Sequence, residues 1–204
     1  MAKARAARRS SAETRRHVLE VAHELFYWQG IRAVGVDKVA AEAGIAPTTL
    51  YRLFPSKDDL VAAYVERAEA GYREWFDEAV RRAGPDPRER ILAVFDSLME
   101  QIHPDRCRGC PFLMTLTEFP DPGVPGHRHS VALKEWVRAR FGELADDLAR
   151  GAPVDDPAVL ADRLALVMEG AYASVQALGA DGPARQARAL AEALLPPAPH
   201  PVRR

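Results

Sequence analysis

Residues 36–60 read VDKVAAEAGIAPTTLYRLFPSKDDL, and this stretch decides the fold. Its first part carries one apolar helix face at the spacing i, i+3, i+4, i+7, made of Val36, Val39, Ala40 and Ala43. Gly44 can end that helix in the left-handed conformation, and Pro47 suits the first turn of a second helix. The pattern predicts two short helices joined by a tight turn.

The second of these helices is predicted to expose a DNA-contacting face. Its inward positions are Ala46, Leu50, Leu53 and Phe54, and its outward positions are Pro47, Thr48, Thr49, Tyr51 and Arg52. Hydroxyls, a phenol and a guanidinium can contact phosphates and base edges in a major groove. We therefore predict a helix-turn-helix that binds double-stranded operator DNA through this face, with Lys38 and Lys57 as further contacts.

The region from about residue 14 to residue 60 resembles the DNA-binding domain of the tetracycline-repressor (TetR) family of transcriptional regulators. The matching positions are Ala22, Leu25, Phe26, Gly30, Val36, Val39, Ala40, Ala43, Gly44, Thr49, Leu50, Tyr51, Phe54, Lys57 and Leu60. Gly35 stands where the family usually has a capping Ser or Thr, and Ala46 and Thr48 also depart from its pattern. The resemblance implies an effector site in a C-terminal helical bundle and a homodimer built from the last two helices.

Charge is distributed unevenly along the 204 residues. Residues 1–60 hold ten Lys and Arg against seven Asp and Glu, whereas residues 61–204 hold eighteen against twenty-two. A basic head on an acidic body orients the head toward DNA. No apolar run approaches the length of a membrane span, and the basic N-terminus lacks the apolar stretch of a secretory signal, so we expect a cytoplasmic protein.

Helix start and stop signals punctuate the whole chain and predict an all-α fold. We expect about nine helices, at 11–29, 36–43, 47–54, 56–82, 87–103, 110–118, 127–150, 157–178 and 184–195. His127 and His129 are expected at a loop. The expected organisation is a basic flexible arm (1–10), a helix-turn-helix domain (11–60), an effector-binding and dimerisation domain (61–195) and a Pro-rich tail (196–204). Helix four joins the two domains.

Large apolar side chains with a few polar ones cluster in the middle of the chain, as they do in small-molecule sites. The candidate pocket residues are Tyr72, Trp75, Phe76, Phe95, Met99, His103, Phe112, Thr115, Glu118 and Trp136. Aromatic residues at helical spacing are equally typical of a plain core. If these residues line a pocket, its effector should be an apolar or aromatic small molecule.

The last two helices carry apolar stripes that could fill the chain's own core or pair with a second copy. The candidate dimer residues are Leu164, Met168, Ala171, Val175, Leu178, Leu190 and Leu194. The first five of them repeat at heptad spacing. The resemblance favours a homodimer interface here.

Cys107 and Cys110 follow His103 in the segment HPDRCRGCPF. A zinc site would need a fourth ligand, and a thioredoxin-like centre would need a strand, so neither is expected. A structural role for the two thiols is favoured, and a thiol sensor is the alternative, since arginines and a helix start lower a thiol pKa. No phosphate-binding loop or nucleophile motif points to an enzyme, and no cofactor is expected.

The sequence thus predicts a dimeric DNA-binding regulator, most simply a repressor that leaves a palindromic operator when a small molecule binds the C-terminal bundle. The alternative is a redox or electrophile sensor on the same scaffold that uses Cys107 and Cys110. A DNA-packaging protein without effector control fits the sequence poorly, because it would have little use for the acidic, aromatic-rich body.

Overall fold

The computed structural model of the protein describes residues 10–102 and 107–197. Over these residues the chain forms nine α-helices and no strand. The helices are α1 (Ser11–Gln29), α2 (Val36–Glu42), α3 (Pro47–Leu53), α4 (Lys57–Arg82), α5 (Pro87–Gln101), α6 (Pro111–Glu118), α7 (Pro125–Ala149), α8 (Pro157–Leu178) and α9 (Ala187–Leu194). The predicted all-α fold is confirmed. The basic arm at residues 1–9, His103 and the tail beyond residue 197 lie outside the described residues.

Capping explains most of the helix boundaries. Ser10 and Glu13 form a capping box at the start of α1. Asp86 and Asp156 accept hydrogen bonds from backbone N–H groups at the starts of α5 and α8, each ahead of a first-turn proline. Ser56 caps α4 by accepting from the N–H of Asp59. These local signals were sufficient to locate the helices from sequence.

Two local predictions were wrong. Helix α7 starts at Pro125, so the histidines expected at a loop, His127 and His129, lie in its first turns. Pro125 can open a helix because its missing N–H would be unpaired there in any case. Ala46 is exposed rather than inward-facing, because it is the residue that precedes α3 and not part of that helix. A short 3-10 turn at Pro183–Gln186 also precedes α9.

Helices α1, α2 and α3 pack around one end of the apolar core, and α4 runs from them into the larger bundle. Leu50 and Phe54 are each 1% exposed and fasten α3 to that core. Gly44, with φ of +65°, makes the tight turn between α2 and α3. The remaining helices form a bundle in which α7 packs mainly on α8 and α4.

The predicted dimer stripe on α8 required a correction. Leu164, Met168, Ala171 and Val175 are buried inside the chain itself, at 5% exposure or less, because this face of α8 packs into the bundle. They are therefore not available to a partner. The exposed apolar side chains near the C-terminus are Val159, Leu166, Leu178 and Leu190, while Leu194 is half-buried.

No helix of the described chain is both long and apolar enough to span a membrane.

Candidate DNA-binding face and ligand cavity

The face of α3 that was expected to contact DNA is open to solvent. Pro47, Thr48 and Arg52 are exposed, Tyr51 is 46% exposed, and Thr49 is half-buried. A phenol at the surface of a short helix, next to a guanidinium and hydroxyls, has no evident role in packing. The structure therefore presents these five side chains together on one turn-and-a-half of helix.

The two lysines proposed to accompany them flank α3 on neighbouring helices. The Lys38 ammonium on α2 donates to Gln29 Oε1 at 2.6 Å. The Lys57 ammonium, on the first residue of α4, donates to the backbone oxygen of Arg32 at 3.3 Å. Partial burial lowers the pKa of Lys57, and the nearby Glu118 carboxylate opposes that shift. Lys57 is thus held in place by the turn between α1 and α2.

A cavity of about 720 Å³ lies between α1, α4, α5, α6 and α8. Three of the predicted pocket residues line it, namely Tyr72, Trp75 and Phe112. Their rings meet edge to face, with the Tyr72 centroid 5.0 Å from Trp75 and 5.8 Å from Phe112. The other lining residues are His23, Tyr27, Tyr64, Arg67, Ala68, Gly71, Arg82, Ser97, Glu100, Gln101, Cys107, Gly109, Pro111 and Tyr172.

Five predicted pocket residues lie in or against the core instead: Phe76, Phe95 and Thr115 are buried, and Trp136 and Met99 are partly buried. Phe76 packs edge to face on Trp136 and Phe141, and Phe95 stacks on Phe141 at 5.8 Å. Trp136 is covered on its outer side by the guanidinium of Arg73, 4.7 Å from the ring centroid. Thr115 is fully buried and donates to the backbone oxygen of Pro111. Met99 packs against the core and does not line the cavity.

Glu118 also lies away from the cavity. Its Oε1 accepts from the N–H of Ile31 at 2.9 Å, and its Oε2 accepts from the N–H of Arg32 at 2.6 Å. The carboxylate at the end of α6 therefore holds the turn that follows α1.

Two lining residues that the sequence reasoning missed come from α1. His23 and Tyr27 stack at 5.7 Å between centroids and close the cavity on the side of the helix-turn-helix. The available signal was the aromatic run Phe26-Tyr27-Trp28, because three adjacent side chains on one helix cannot all face the same core. Tyr172 was missed because it stands beside Ala171 in the stripe assigned to the dimer.

The polar groups of the cavity are neutral where it is deep and charged where it is open. Burial raises the pKa of Tyr27, Tyr64, Tyr72 and Tyr172, so these phenols stay protonated. The charged lining residues Arg67, Arg82 and Glu100 are all exposed. The indole N–H of Trp75 is buried and has no hydrogen-bond partner within residues 10–102 and 107–197.

Both thiols are buried. Cys107 is 9% exposed at the cavity wall, and Cys110 is 1% exposed, with the ammonium of Lys134 3.2 Å from its sulfur. Burial raises the pKa of Cys110 despite that lysine. Lys134 is itself paired with Glu169 at 2.6 Å. Cys110 is therefore a protonated, enclosed thiol at the start of α6.

Comparison with known proteins agrees with this architecture. Residues 18–64 match the family described as bacterial regulatory proteins, tetR family. A TetR-family transcriptional regulator from Streptomyces coelicolor is 32% identical, and the match has a TM-score of 0.82 and covers 90% of this chain and 94% of that one. A putative TetR regulator from Streptomyces avermitilis is also 32% identical, with a TM-score of 0.71 over 89% and 97% of the two chains.

A curated relative, the HTH-type transcriptional regulator YjdC of Escherichia coli, is 26% identical over 181 residues, which cover 89% of this chain and 93% of that protein. The relatives and the matched family are transcriptional regulators rather than enzymes. The match to the Streptomyces coelicolor protein has 32% identity and covers most of both chains, and this chain carries a helix-turn-helix in its N-terminal part. This chain therefore belongs to the TetR family of DNA-binding transcriptional regulators.

Proposed function

We propose that the protein is a homodimeric repressor that leaves a palindromic operator when a neutral aromatic molecule enters the cavity between α1, α4, α5, α6 and α8. Residues 11–60 would bind the DNA, and residues 61–195 would bind the effector and the second copy. The observation that carries the proposal is the cavity itself, whose wall includes residues of both parts.

The chemistry of the wall supports an uncharged, largely aromatic effector. Tyr72, Trp75 and Phe112 offer ring faces and edges, and the phenols of the cavity are neutral donors or acceptors. The unpartnered Trp75 N–H would gain by donating to an oxygen or nitrogen of the ligand, since a buried donor without a partner is costly. A charged ligand would lose its hydration without meeting a buried countercharge among these residues.

The DNA contacts we propose are Lys38, Pro47, Thr48, Thr49, Tyr51, Arg52 and Lys57. The exposure of the α3 side chains supports them. Thr48, Thr49 and Arg52 would contact base edges or adjacent phosphates, and Tyr51 and Lys57 would contact phosphates. A dimer would present two such faces to successive major grooves, which explains a palindromic site.

For the homodimer we propose the exposed side of α8 together with α9, rather than the buried stripe. Leu166 is 72% exposed, Leu178 65% and Leu190 51%. Gly170 and Ala173 lie exposed on α8 between the two leucines of that helix, and their small size would allow a second helix to approach closely. Apolar side chains of this size gain free energy when a partner covers them.

The thiol alternative has less support. A sensor thiol needs access to oxidant and a lowered pKa, whereas Cys110 is enclosed and its pKa is raised. We therefore retain the small-molecule effector as the proposed signal.

For the test, operator DNA is first selected from genomic fragments by the wild-type protein. The protein and its complex with this operator are then titrated with a panel of neutral bicyclic and tricyclic aromatic compounds. We expect at least one compound to quench tryptophan fluorescence and to lower operator affinity in parallel. Trp75→Phe should lose the quenching, whereas Trp136→Phe, a change outside the cavity, should keep it. Compounds that quench through Trp75 and leave operator affinity unchanged would contradict the proposal.

A further inference from the structure

Helix α6 is fastened at both ends to the C-terminal end of α1. Before α6, the Tyr27 hydroxyl accepts from the N–H of Arg108 at 2.7 Å and of Gly109 at 3.2 Å, and it donates to the Gly109 oxygen at 2.9 Å. The Arg108 guanidinium also donates to the Tyr27 backbone oxygen at 2.7 Å. The Tyr27 phenol thus fixes two consecutive residues that lie more than eighty positions further along the chain.

At its other end, α6 is fastened through Glu118. Residues 31 and 32 follow the end of α1 at Gly30, so their N–H groups have no acceptor from continued helix and need other partners. The two oxygens of Glu118 supply one acceptor each, to Ile31 and Arg32. Bonds to a carboxylate are stronger than bonds between neutral groups, so this second attachment is firm.

The Glu118 attachment leads directly to a proposed DNA contact. Arg32 donates its N–H to Glu118, and its backbone oxygen accepts from Lys57 at 3.3 Å. Its guanidinium also lies over the ring of Phe119, 5.4 Å from the centroid. The turn at residue 32 therefore joins the end of α6 to the first residue of α4.

The Tyr27 attachment, in contrast, leads to the cavity. Tyr27, Cys107, Gly109 and Pro111 all line its wall, so an occupant would press on the segment that the phenol fixes. Gly109 has φ of +134°, and a Cβ there would meet Gln176 at 3.1 Å, so the Gln176 side chain of α8 lies close against one side of this segment. A displacement would be passed along the eight residues of α6 to Glu118.

We propose that Tyr27 and Glu118 are positioning residues that couple the cavity to the DNA-binding face through α6. The inference rests on the proposed function, since it assigns the route by which cavity occupancy reaches Lys57 and α3. This route differs from transmission along α4, because it enters the helix-turn-helix through α1 and the turn that follows α1.

Gly71 allows the coupling to be tested without a known effector. It lines the cavity on α4 at an exposed position, and a Cβ added there would meet nothing within 4 Å. We expect Gly71→Trp to fill the open side of the cavity with an indole, and Gly71→Ala is the control that adds only a methyl group. Thr117→Ala is the control for changes in α6, because Thr117 is next to Glu118 and its hydroxyl donates to the Leu113 oxygen of the same helix.

The experiment measures operator affinity by fluorescence anisotropy for Gly71→Trp against Gly71→Ala. This pair of variants is compared in four backgrounds, namely wild type, Thr117→Ala, Glu118→Gln and the double variant Tyr27→Phe/Glu118→Ala. Each protein is first checked for helical content. We expect the indole to weaken binding about tenfold in wild type and Thr117→Ala, and less than about twofold in the double variant. Glu118→Gln, which keeps an amide oxygen as acceptor, should fall between them.

A merely structural role for Tyr27 and Glu118 would make the effects additive, because independent changes do not alter one another. An equal loss of affinity in every background would therefore overturn the coupling and leave the cavity-controlled repressor standing. No loss in wild type would overturn both, since there would be no signal to transmit.

Discussion

Lys57 is the residue at which a proposed DNA contact and internal packing meet. Its ammonium is bonded to the Arg32 oxygen, so it is already placed at the start of α4 before DNA binds. A cation in the first turn of a helix is disfavoured by the helix dipole. An external phosphate, added to the backbone oxygen and the nearby Glu118 carboxylate, would explain why a lysine stands there.

We expect Lys57→Ala to weaken binding to all DNA sequences and to lower the salt slope by about one unit for each protomer, because one phosphate contact is lost. Salt titrations of operator and unrelated duplex measure this. Arg150→Ala, at the end of α7, removes a comparable positive charge away from α3 and should keep the wild-type slope. A wild-type slope for Lys57→Ala would remove it from the DNA contacts.

His23 gives the cavity wall a pH dependence. Burial against Tyr27 and Tyr64 lowers the pKa of His23, with Arg67 acting in the same direction and Glu24 against it. The folded protein therefore takes up this proton less readily than the unfolded chain, whose histidine pKa is about 6.5. The contribution of His23 to the free energy of unfolding is therefore fully present above the unfolded-state pKa and is lost as the pH falls below it.

The free energy of unfolding should consequently fall between pH 7 and pH 5.5, by no more than about 1.4 kcal/mol per pH unit from His23, the limit for one proton. Urea unfolding at several pH values measures the change. His23→Gln should reduce the fall, and His17→Gln, earlier on the same helix, is the matched control. An identical fall in wild type and His23→Gln would exclude His23 as its source.

The buried thiols allow a test of the alternative signal. Peroxide should not release operator DNA from the wild type, because Cys110 is enclosed and protonated. The Cys107→Ser/Cys110→Ser variant should behave in the same way. Release of the wild type but not of the double variant would establish the thiol sensor instead.

At the scale of elements, the helix boundaries could be predicted because they depend on neighbours in sequence. Capping residues, first-turn prolines and terminal glycines gave nearly every helix within two residues. The side of a helix that faces the core depends on distant partners. The α8 stripe of Leu164, Met168 and Ala171 has the spacing of an interface, yet α7 and the rest of the bundle already cover it.

The exposed side of α8 leads to a corrected interface prediction. Leu166→Glu should give helical monomers that lose operator binding, since a charge in a dry contact costs on the order of 3 kcal/mol without a partner. Light scattering and circular dichroism measure this. Ala139→Glu, on the exposed side of α7, should remain dimeric. A stable dimer of Leu166→Glu would place the interface elsewhere.

The cavity could be predicted only in part for the same reason. Trp75 and Phe76 are adjacent and both aromatic, yet one lines the cavity and the other is solid core. Only the placement of α1, α6 and α7 around α4 distinguishes them. Helix α1 contributes His23 and Tyr27 to the cavity wall. Tyr27 bonds to a residue more than eighty positions away in sequence, and no local pattern encodes such a contact.

At the scale of the whole molecule, helix α1 belongs both to the cavity wall and to the core that carries the proposed DNA-binding face. The cavity is walled partly by α1, and α6 connects it to the turn that holds Lys57. A displacement of α1 relative to the bundle would carry α2 and α3 with it, because these helices share one apolar core. In a dimer such a displacement changes the separation of two recognition helices, which must match a DNA turn of about 34–36 Å or a multiple of it.

The most direct test of this account is the distance between the two α3 helices of the proposed dimer, measured by double electron–electron resonance. Spin labels would be placed at Ala46→Cys, an exposed position before α3, in the Cys107→Ser/Cys110→Ser background. The account predicts that Gly71→Ala samples the distance found with operator bound, and that Gly71→Trp shifts the distribution by several ångströms and weakens binding. Identical distributions for the two variants would contradict it.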